Sequence, residues 1–198
     1  MPGPYLKYCV IRDLMFEDTF PVHSPLSTTN WEVISGEFDA IKGKLTVIQP
    51  GEIAFKGYQI RTNGAVSVKF VCVADMKLEI RCRRSDDLNY VSFELDFENK
   101  TISLSETISG VKNVLKTQNH LLSDDPVLYY VGLWYQDDVL MGFINGSYII
   151  DAVSSHNLNQ YKFSIVVPEI WEDTKTEFYC ATAHRIESFP TSRSEEHT

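Results

Sequence analysis

Apolar and polar residues alternate along most of this chain. Val66, Val68, Phe70 and Cys72 share one parity, Leu78, Ile80 and Cys82 share a second, and Val91, Phe93, Leu95 and Phe97 a third. Lys77, Glu79, Arg81 and Arg83 occupy the opposite parity of the second run, and Tyr90, Ser92, Glu94, Asp96 and Glu98 that of the third. A period of two sets all residues of one parity on one side of a pleated strand, so each run predicts a strand with one buried face. Further strands are expected over 7–11, 31–35, 44–48, 53–56, 102–104, 128–135, 139–144, 147–152, 161–167 and 176–184. Turn signals separate them: Gly36, Lys42-Gly43, Pro50-Gly51, Asn63-Gly64, Gln136-Asp137-Asp138 and Asn145-Gly146. The last is the sharpest, because a type I′ hairpin turn needs positive φ at both central residues. Helical periodicity is confined to 105–116, where Gly110 and several β-branched residues weaken it. Many short strands without intervening helices predict an all-β, two-sheet antiparallel sandwich. Apolar residues fill both parities of 128–144, which predicts a strand pair covered on both faces, by the second sheet and a loop or by another subunit.

Length and charge narrow the function. With 198 residues the chain is read as one domain over 1–186 and a polar tail over 187–198. A chain of this size buries roughly 70 % of its unfolded surface, enough to fold without a metal or a disulfide. The net charge of −9 opposes binding to phosphate backbones. The one tight basic run, Arg81-Cys82-Arg83-Arg84, lies inside a strand pattern and meets Asp86 and Asp87, so no nucleic-acid role is expected. No run approaches the ~20 apolar residues of a membrane span. The residues after Met1 lack the apolar core of a signal peptide, so cytoplasmic synthesis is expected. Cys9, Cys72, Cys82 and Cys180 are widely spaced and read as small buried hydrophobes. The histidines are scattered and predict no metal triad. A loop calcium ion is the one cofactor to weigh, with Ser123-Asp124-Asp125 and Gln136-Asp137-Asp138 as oxygen-rich turns, although Asp is equally an ordinary turn residue.

A longer order of features runs over 14–184. Phe16-Glu17-Asp18-Thr19-Phe20 is followed by Trp31 and Gly36-Glu37-Phe38-Asp39, then by Val66-Ser67-Val68-Lys69-Phe70. Ile80-Arg81-Cys82-Arg83 leads into Asp86-Asp87-Leu88-Asn89-Tyr90. Tyr130-Val131-Gly132-Leu133-Trp134 and Gly142-Phe143-Ile144-Asn145-Gly146 form a late apolar pair whose second strand ends in Asn-Gly. This order resembles the concanavalin-A-like lectin/glucanase superfamily, including its laminin-G-like modules. The resemblance implies a jelly roll of two antiparallel sheets, one of them concave. It does not imply one function, since the fold hosts lectins, glycosidases, adhesion modules and viral structural proteins.

Glu94-Leu95-Asp96-Phe97-Glu98 resembles the E-x-D-x-E strand of laminarinase- and lichenase-type retaining β-glucanases. The resemblance implies Glu94 as nucleophile, Glu98 as acid/base and Asp96 between them. On one strand face Glu94 and Glu98 would stand roughly 13 Å apart at Cα, and long side chains leaning inward can bring their carboxyls to the ~5 Å that retention needs. The plainer reading is that acidic residues keep the outer face of a half-buried strand soluble. Two departures favour it: Tyr90-Val91-Ser92-Phe93 lacks the Trp or Gly-Glu lead-in, and Asn99-Lys100-Thr101 reads as a turn that sets Glu98 at a strand end. Aromatic platforms for a sugar are expected among Tyr58, Tyr90, Trp134, Tyr135 and Trp171. Beside a purely structural domain with no ligand, two functions stay open. One is a non-catalytic binding or assembly module that presents a jelly-roll face to glycans or to neighbouring protein subunits, as a homo-oligomer or a virion or phage surface component. The other is a retaining β-glucanase using Glu94, Asp96 and Glu98.

Overall fold

The computed structural model describes residues 9–20, 31–41, 43–57, 63–72, 76–123, 127–160, 162–169 and 176–188. Among them the chain forms strands and turns with no helix: β1 (Cys9–Asp18), β2 (Trp31–Ile41), β3 (Lys44–Phe55), β4 (Gly64–Cys72), β5 (Lys77–Asp86), β6 (Asn89–Asp96), β7 (Thr101–Ile108), β8 (Val111–Asn119), β9 (Val127–Gln136), β10 (Val139–Ile144), β11 (Ser147–Val153), β12 (Lys162–Val167) and β13 (Glu177–Ser188). No helix among the described residues is long and apolar enough to cross a membrane. All pairings are antiparallel. The ladder runs β11-β10-β9-β4-β13-β3-β12-β5-β6-β7-β8, with β1 added to β13 and β2 to β3.

Burial folds this ladder into two layers. Sheet one is β11-β10-β9-β4-β13-β1, and sheet two is β12-β5-β6-β7-β8. Val66, Val68, Phe70, Val131, Leu133 and Phe178 point inward from sheet one, and Leu78, Ile80, Phe93, Leu95, Leu104 and Ile165 from sheet two. Phe97 joins the layers, edge-on to Phe70 at 6.2 Å and to Tyr129 at 5.3 Å between ring centroids. The alternation in the sequence therefore yields the two-sheet sandwich it predicts.

The β2–β3 hairpin belongs to both layers. Leu45 and Thr46 pair with Phe178 and Glu177 of sheet one, whereas Gly51 to Ala54 pair with β12 of sheet two. The crossing point is Gly36 against Pro50-Gly51. Gly36 has φ +77°, and a Cβ there would stand 2.4 Å from the Pro50 carbonyl oxygen; one on Gly51 would stand 2.1 Å from that of Ser35. Two backbones touch here, which glycine alone allows. The expected strands 44–48 and 53–56 are consequently one bent strand, and Pro50-Gly51 marks a corner within it rather than a reversal.

Two other expectations change. The stretch 105–116 is not helical but spans the β7–β8 hairpin, turning at Ser109 (φ +51°) and Gly110 (φ +79°). This is the left-handed pair seen also at Asn145 (φ +52°) and Gly146 (φ +78°), and the β-branched residues around it suit strands better than a helix. Arg83 does not share the outward face of Arg81. It takes φ +49° at a register shift between Cys82 and Asp86, which turns its side chain into the protein. There its guanidinium donates to the carbonyls of Ser154 and Asp137, tying β5 to the β9–β10 turn and to the loop after β11. Cys82 is a buried core thiol, as the sequence implies, whereas Cys180 is half-buried and is pushed up to about 11 by burial and by Glu17.

Candidate functional site

The outward parity of sheet two gathers polar residues into rows. Ala54, Ser164, Arg81, Ser92 and Ser105 lie side by side across β3, β12, β5, β6 and β7. Glu52, Val166, Glu79, Glu94 and Ser103 form the next row on the same strands. On the other side of the serine row, Tyr90, Thr107 and Lys112 are aligned on β6, β7 and β8. Ser164, Ser92 and Ser105 are each 0 % exposed. Short side chains between longer ones make the serine row the floor of a trough.

Charged groups pave this trough. Arg81 donates through Nη1 to Glu52 Oε2 at 2.9 Å and through Nη2 to Glu79 Oε2 at 2.8 Å. Its guanidinium carbon lies 4.2 Å from the centroid of the Tyr90 ring, a cation–π contact that fixes the plane of the fork. Burial alone would lower the Arg81 pKa, but Glu79 and Glu52 outweigh it and the net shift is upward. Arg84 reaches Glu52 Oε1 at 3.0 Å through Nε and pairs with Asp87. Glu94 accepts from Ser92 Oγ at 3.0 Å and pairs with Lys112. Lys112 faces Thr107 and Glu94 faces Ser103 on opposite flanks of β7, so this ion pair crosses β7 at Ser105.

Under this paving several polar atoms have no hydrogen-bond partner among the described residues: Ser105 Oγ, Thr107 Oγ1, Ser164 Oγ, Glu79 Oε1 and Arg81 Nε. A buried polar group left unpaired costs about 1–3 kcal/mol. A face that only needed to stay soluble would not concentrate such groups.

The acidic strand is presented in part. Glu94 and Asp96 lie on the outward face of β6, but β6 ends at Asp96 and Glu98 is exposed in the turn that follows. The cause is local. Asp96 accepts the Asn99 backbone N–H and side-chain amide, both at 2.9 Å, and Lys100 takes φ +54°, so the chain reverses before Glu98 can continue the face. Burial raises the Asp96 pKa, but the two Asn99 bonds and Lys77 at 3.7 Å more than offset it, and the carboxyl sits below its usual range. A carboxyl lowered on folding stabilises fully above its unfolded value near ~3.9 and stops doing so as pH falls through its folded value. Asp96→Asn should therefore lower the urea midpoint at pH 7 and match wild type at pH 2–3. An equal deficit at both pH values would refute this account.

The expected aromatic platforms are split. Tyr90 lies on the outer face of sheet two under Arg81, whereas Trp134 lies on the outer face of sheet one, 4.3 Å from the Phe143 ring. Tyr135, expected as a platform, is instead a core residue at 1 % exposure, because it shares the inward parity of Val131 and Leu133. Burial raises its phenol pKa well above the ordinary value, and the Arg83 guanidinium stands 5.3 Å from its ring. Tyr58 and Trp171 lie outside the described residues, as do Asp124 and Asp125.

At the remaining aspartate turn the backbone of Asp137 is engaged. Asp137 donates its N–H to Asn63, and its carbonyl already accepts an Arg83 guanidinium N–H. Among the described residues, no three His, Cys, Asp or Glu side chains are placed to hold a metal. Sequence reading missed Glu52, Ser105, Thr107 and Ser164. They come from β3, β7 and β12, and only the Ser103, Ser105, Thr107 alternation against Ile102 and Leu104 offered a signal.

No protein-family profile and no curated protein sequence matches the chain. Solved structures do. A protein of unknown function with a galectin-like fold from Bacillus subtilis matches at TM-score 0.67 and 13% identity, over 91% of this chain and 99% of that one. A β-glucanase from Bacillus licheniformis matches at TM-score 0.62 and 12% identity, over 86% and 97%. The carbohydrate-binding module CBM66 from Bacillus subtilis matches at TM-score 0.60 and 13% identity, over 80% and 94%. This chain therefore has the concanavalin-A-like jelly-roll fold.

Proposed function

We propose that the chain is a non-catalytic glycan-binding module that takes a neutral, polyhydroxylated ligand on the outer face of sheet two. The observation that supports this reading is the polar outward face of sheet two, where the Arg81 fork, Tyr90 and the Glu94–Lys112 pair lie over unpartnered atoms of Ser105, Thr107, Ser164 and Glu79 that a ligand would meet on displacing those side chains. Hydroxyls and a carboxylate oxygen are the partners sugar hydroxyls need, and the fixed fork of Arg81 adds donors without rotamer entropy to lose. Tyr90 holds that fork in place. Structural neighbours named as a carbohydrate-binding module and as having a galectin-like fold accord with it.

The β-glucanase reading has weaker support. Glu98 leaves the strand, and both Glu94 oxygens are engaged, by Ser92 and Lys112. A retaining mechanism needs two carboxyls on one cleft, ~5 Å apart.

The test is a glycan array and a β-glucan hydrolysis assay on the purified chain and on Ser105→Ala/Ser164→Ala. Wild type should bind saturably without cleavage, and the double variant should bind at least tenfold more weakly. Its thermal stability should be unchanged or higher, because removing an unpaired buried hydroxyl removes a penalty. Binding unaltered by the double variant would refute the assignment. Cleavage abolished by Glu94→Gln would establish the enzyme instead, and silence in both assays would leave protein–protein assembly as the better account.

A further inference from the structure

The charged cover on the outer face of sheet two is held unequally. Arg81 is pinned by Glu52, by Glu79 and by the face of the Tyr90 ring. Lys112 is held, among the described residues, by Glu94 alone. The two ends of that pair also differ. Glu94 accepts from Ser92 Oγ at 3.0 Å, and Ser92 is buried on β6, the middle strand of the sheet, so the carboxylate is a fixed post. Lys112 belongs to β8, which ends the ladder and is paired to β7 only, and its side chain is 43 % exposed. The ammonium is the end that can leave.

What lies beneath decides how firmly the pair closes. It joins β8 to β6 across two strand spacings, about 10 Å, so the lysine stem lies along the face and passes over Ser105. Ser105 and Thr107 are buried, and neither hydroxyl has a partner among the described residues. A partly exposed ion pair stabilises little, and an unpaired buried hydroxyl destabilises by more. Swinging Lys112 into solvent gives up the first and relieves the second, because water then reaches both hydroxyls. The closed arrangement is therefore finely balanced, and salt, which screens the attraction that holds it, tips it open. Opening has a direction too. Ser164 lies at the far end of the serine row beside Arg81, whose threefold hold keeps that end covered.

We propose that Lys112 is a salt-sensitive bar across the β7 end of the trough. Paired with Glu94 it shuts off Ser105 and Thr107; released, it opens them to whatever binds there. The use of such a bar in function rests on the glycan reading of this face, but its existence does not.

The experiment is alkylation of a thiol placed on the floor. Ser105→Cys and Ser164→Cys are made in the full chain, each with Lys112 intact and with Lys112→Ala, and treated with iodoacetamide. Peptide mass spectrometry separates the new thiol from the native ones. Ser105→Cys should react at least fivefold faster once Lys112→Ala is added, whereas Ser164→Cys should change less than twofold. With Lys112 intact, the Ser105→Cys rate should at least double between about 0.01 M and 1 M sodium chloride, over which the Debye length falls from roughly 30 Å to 3 Å. With Lys112→Ala it should not. Removing or screening a neighbouring cation lowers the thiolate fraction and slows alkylation, so any increase comes from access. Cys82, buried in the core, reports global opening in the same digest, and its rate should stay constant. An unchanged Ser105→Cys rate in Lys112→Ala, an equal rise at Ser164→Cys, or a salt response that survives Lys112→Ala would overturn the bar. Should Lys112→Ala not fold, the salt response of Ser105→Cys beside a steady Cys82 decides alone: a rise upholds the bar and a flat rate removes it. The alkylation needs no ligand, so a silent glycan array with gated alkylation would sink the glycan reading and leave the bar, and ungated alkylation with glycan binding would do the reverse.

Discussion

Replacing Arg81 with Ala should destabilise the protein by about 3–5 kcal/mol. Arg81 is 15 % exposed at its side chain, and its partners Glu52 and Glu79 are 7 % and 10 % exposed. Deleting the guanidinium strands the Glu79 carboxylate in a poorly hydrated face, leaves Glu52 with Arg84 as its cation, and uncovers the Tyr90 ring. The loss is of the kind expected when one member of a buried ionic group is removed, which is larger than the net worth of the group. Arg81→Met should therefore do little better than Arg81→Ala, although it keeps an apolar stem. Arg81→Met/Glu79→Gln should recover much of the deficit, because Glu52 keeps Arg84 and no buried carboxylate is then left without a cation. Urea denaturation measures all of this. A cost below 1 kcal/mol for Arg81→Ala would show that Glu52 and Glu79 are solvated in the folded state.

Gly51→Ala should be the most damaging single methyl in the described structure. The new Cβ would lie 2.1 Å from Ser35 O, 2.5 Å from Ser35 C and 2.6 Å from Gly36 Cα, all backbone atoms that no rotamer change can move. Relief requires the two strands of the corner to part, and with them the pairing of Ile53 and Ala54 to β12. A loss above about 4 kcal/mol is expected, at the exceptional end for point substitutions. The control is Gly146→Ala at the β10–β11 turn. Gly146 has φ +78° with nothing within 4 Å of a Cβ, so only the left-handed penalty of about 1–2 kcal/mol applies. Circular dichroism melts of the two variants should differ widely. A Gly51→Ala protein melting within a few degrees of wild type would mean that the corner is looser than its geometry.

The sandwich was legible because its strands alternate cleanly: Val91, Phe93 and Leu95 point inward with Ser92 and Glu94 outward, as their parity requires. Legibility failed where one residue breaks the period. The bulge at Arg83 reverses a side chain, and Gly51 bends a strand that reads as two. Neither event changes composition locally, so neither leaves a pattern to find. The site was legible only in its acidic strand, and there the cap from Asn99 to Asp96 removed Glu98 from the face. The serine floor was invisible for a different reason. Ser92, Ser105 and Ser164 become neighbours only through ladder pairing across β12, β5, β6 and β7. Trp134 and Tyr135 are adjacent in sequence and face opposite directions, so a stretch apolar on both parities names two environments at once.

The corner hairpin also sets a timetable. β3 lies early in the chain, yet the strands it needs on its open side are β12 and β13, close to the far end. A ribosome emits the chain from the N-terminus, so β2 and β3 must wait as an unpaired ribbon while the local β5-β6-β7-β8 meander forms behind them. Contacts of such long sequence separation form late and slowly. The waiting edge of β3 is then the surface most exposed to wrong partners during synthesis, and the last strands to emerge act as the clasp that retires it.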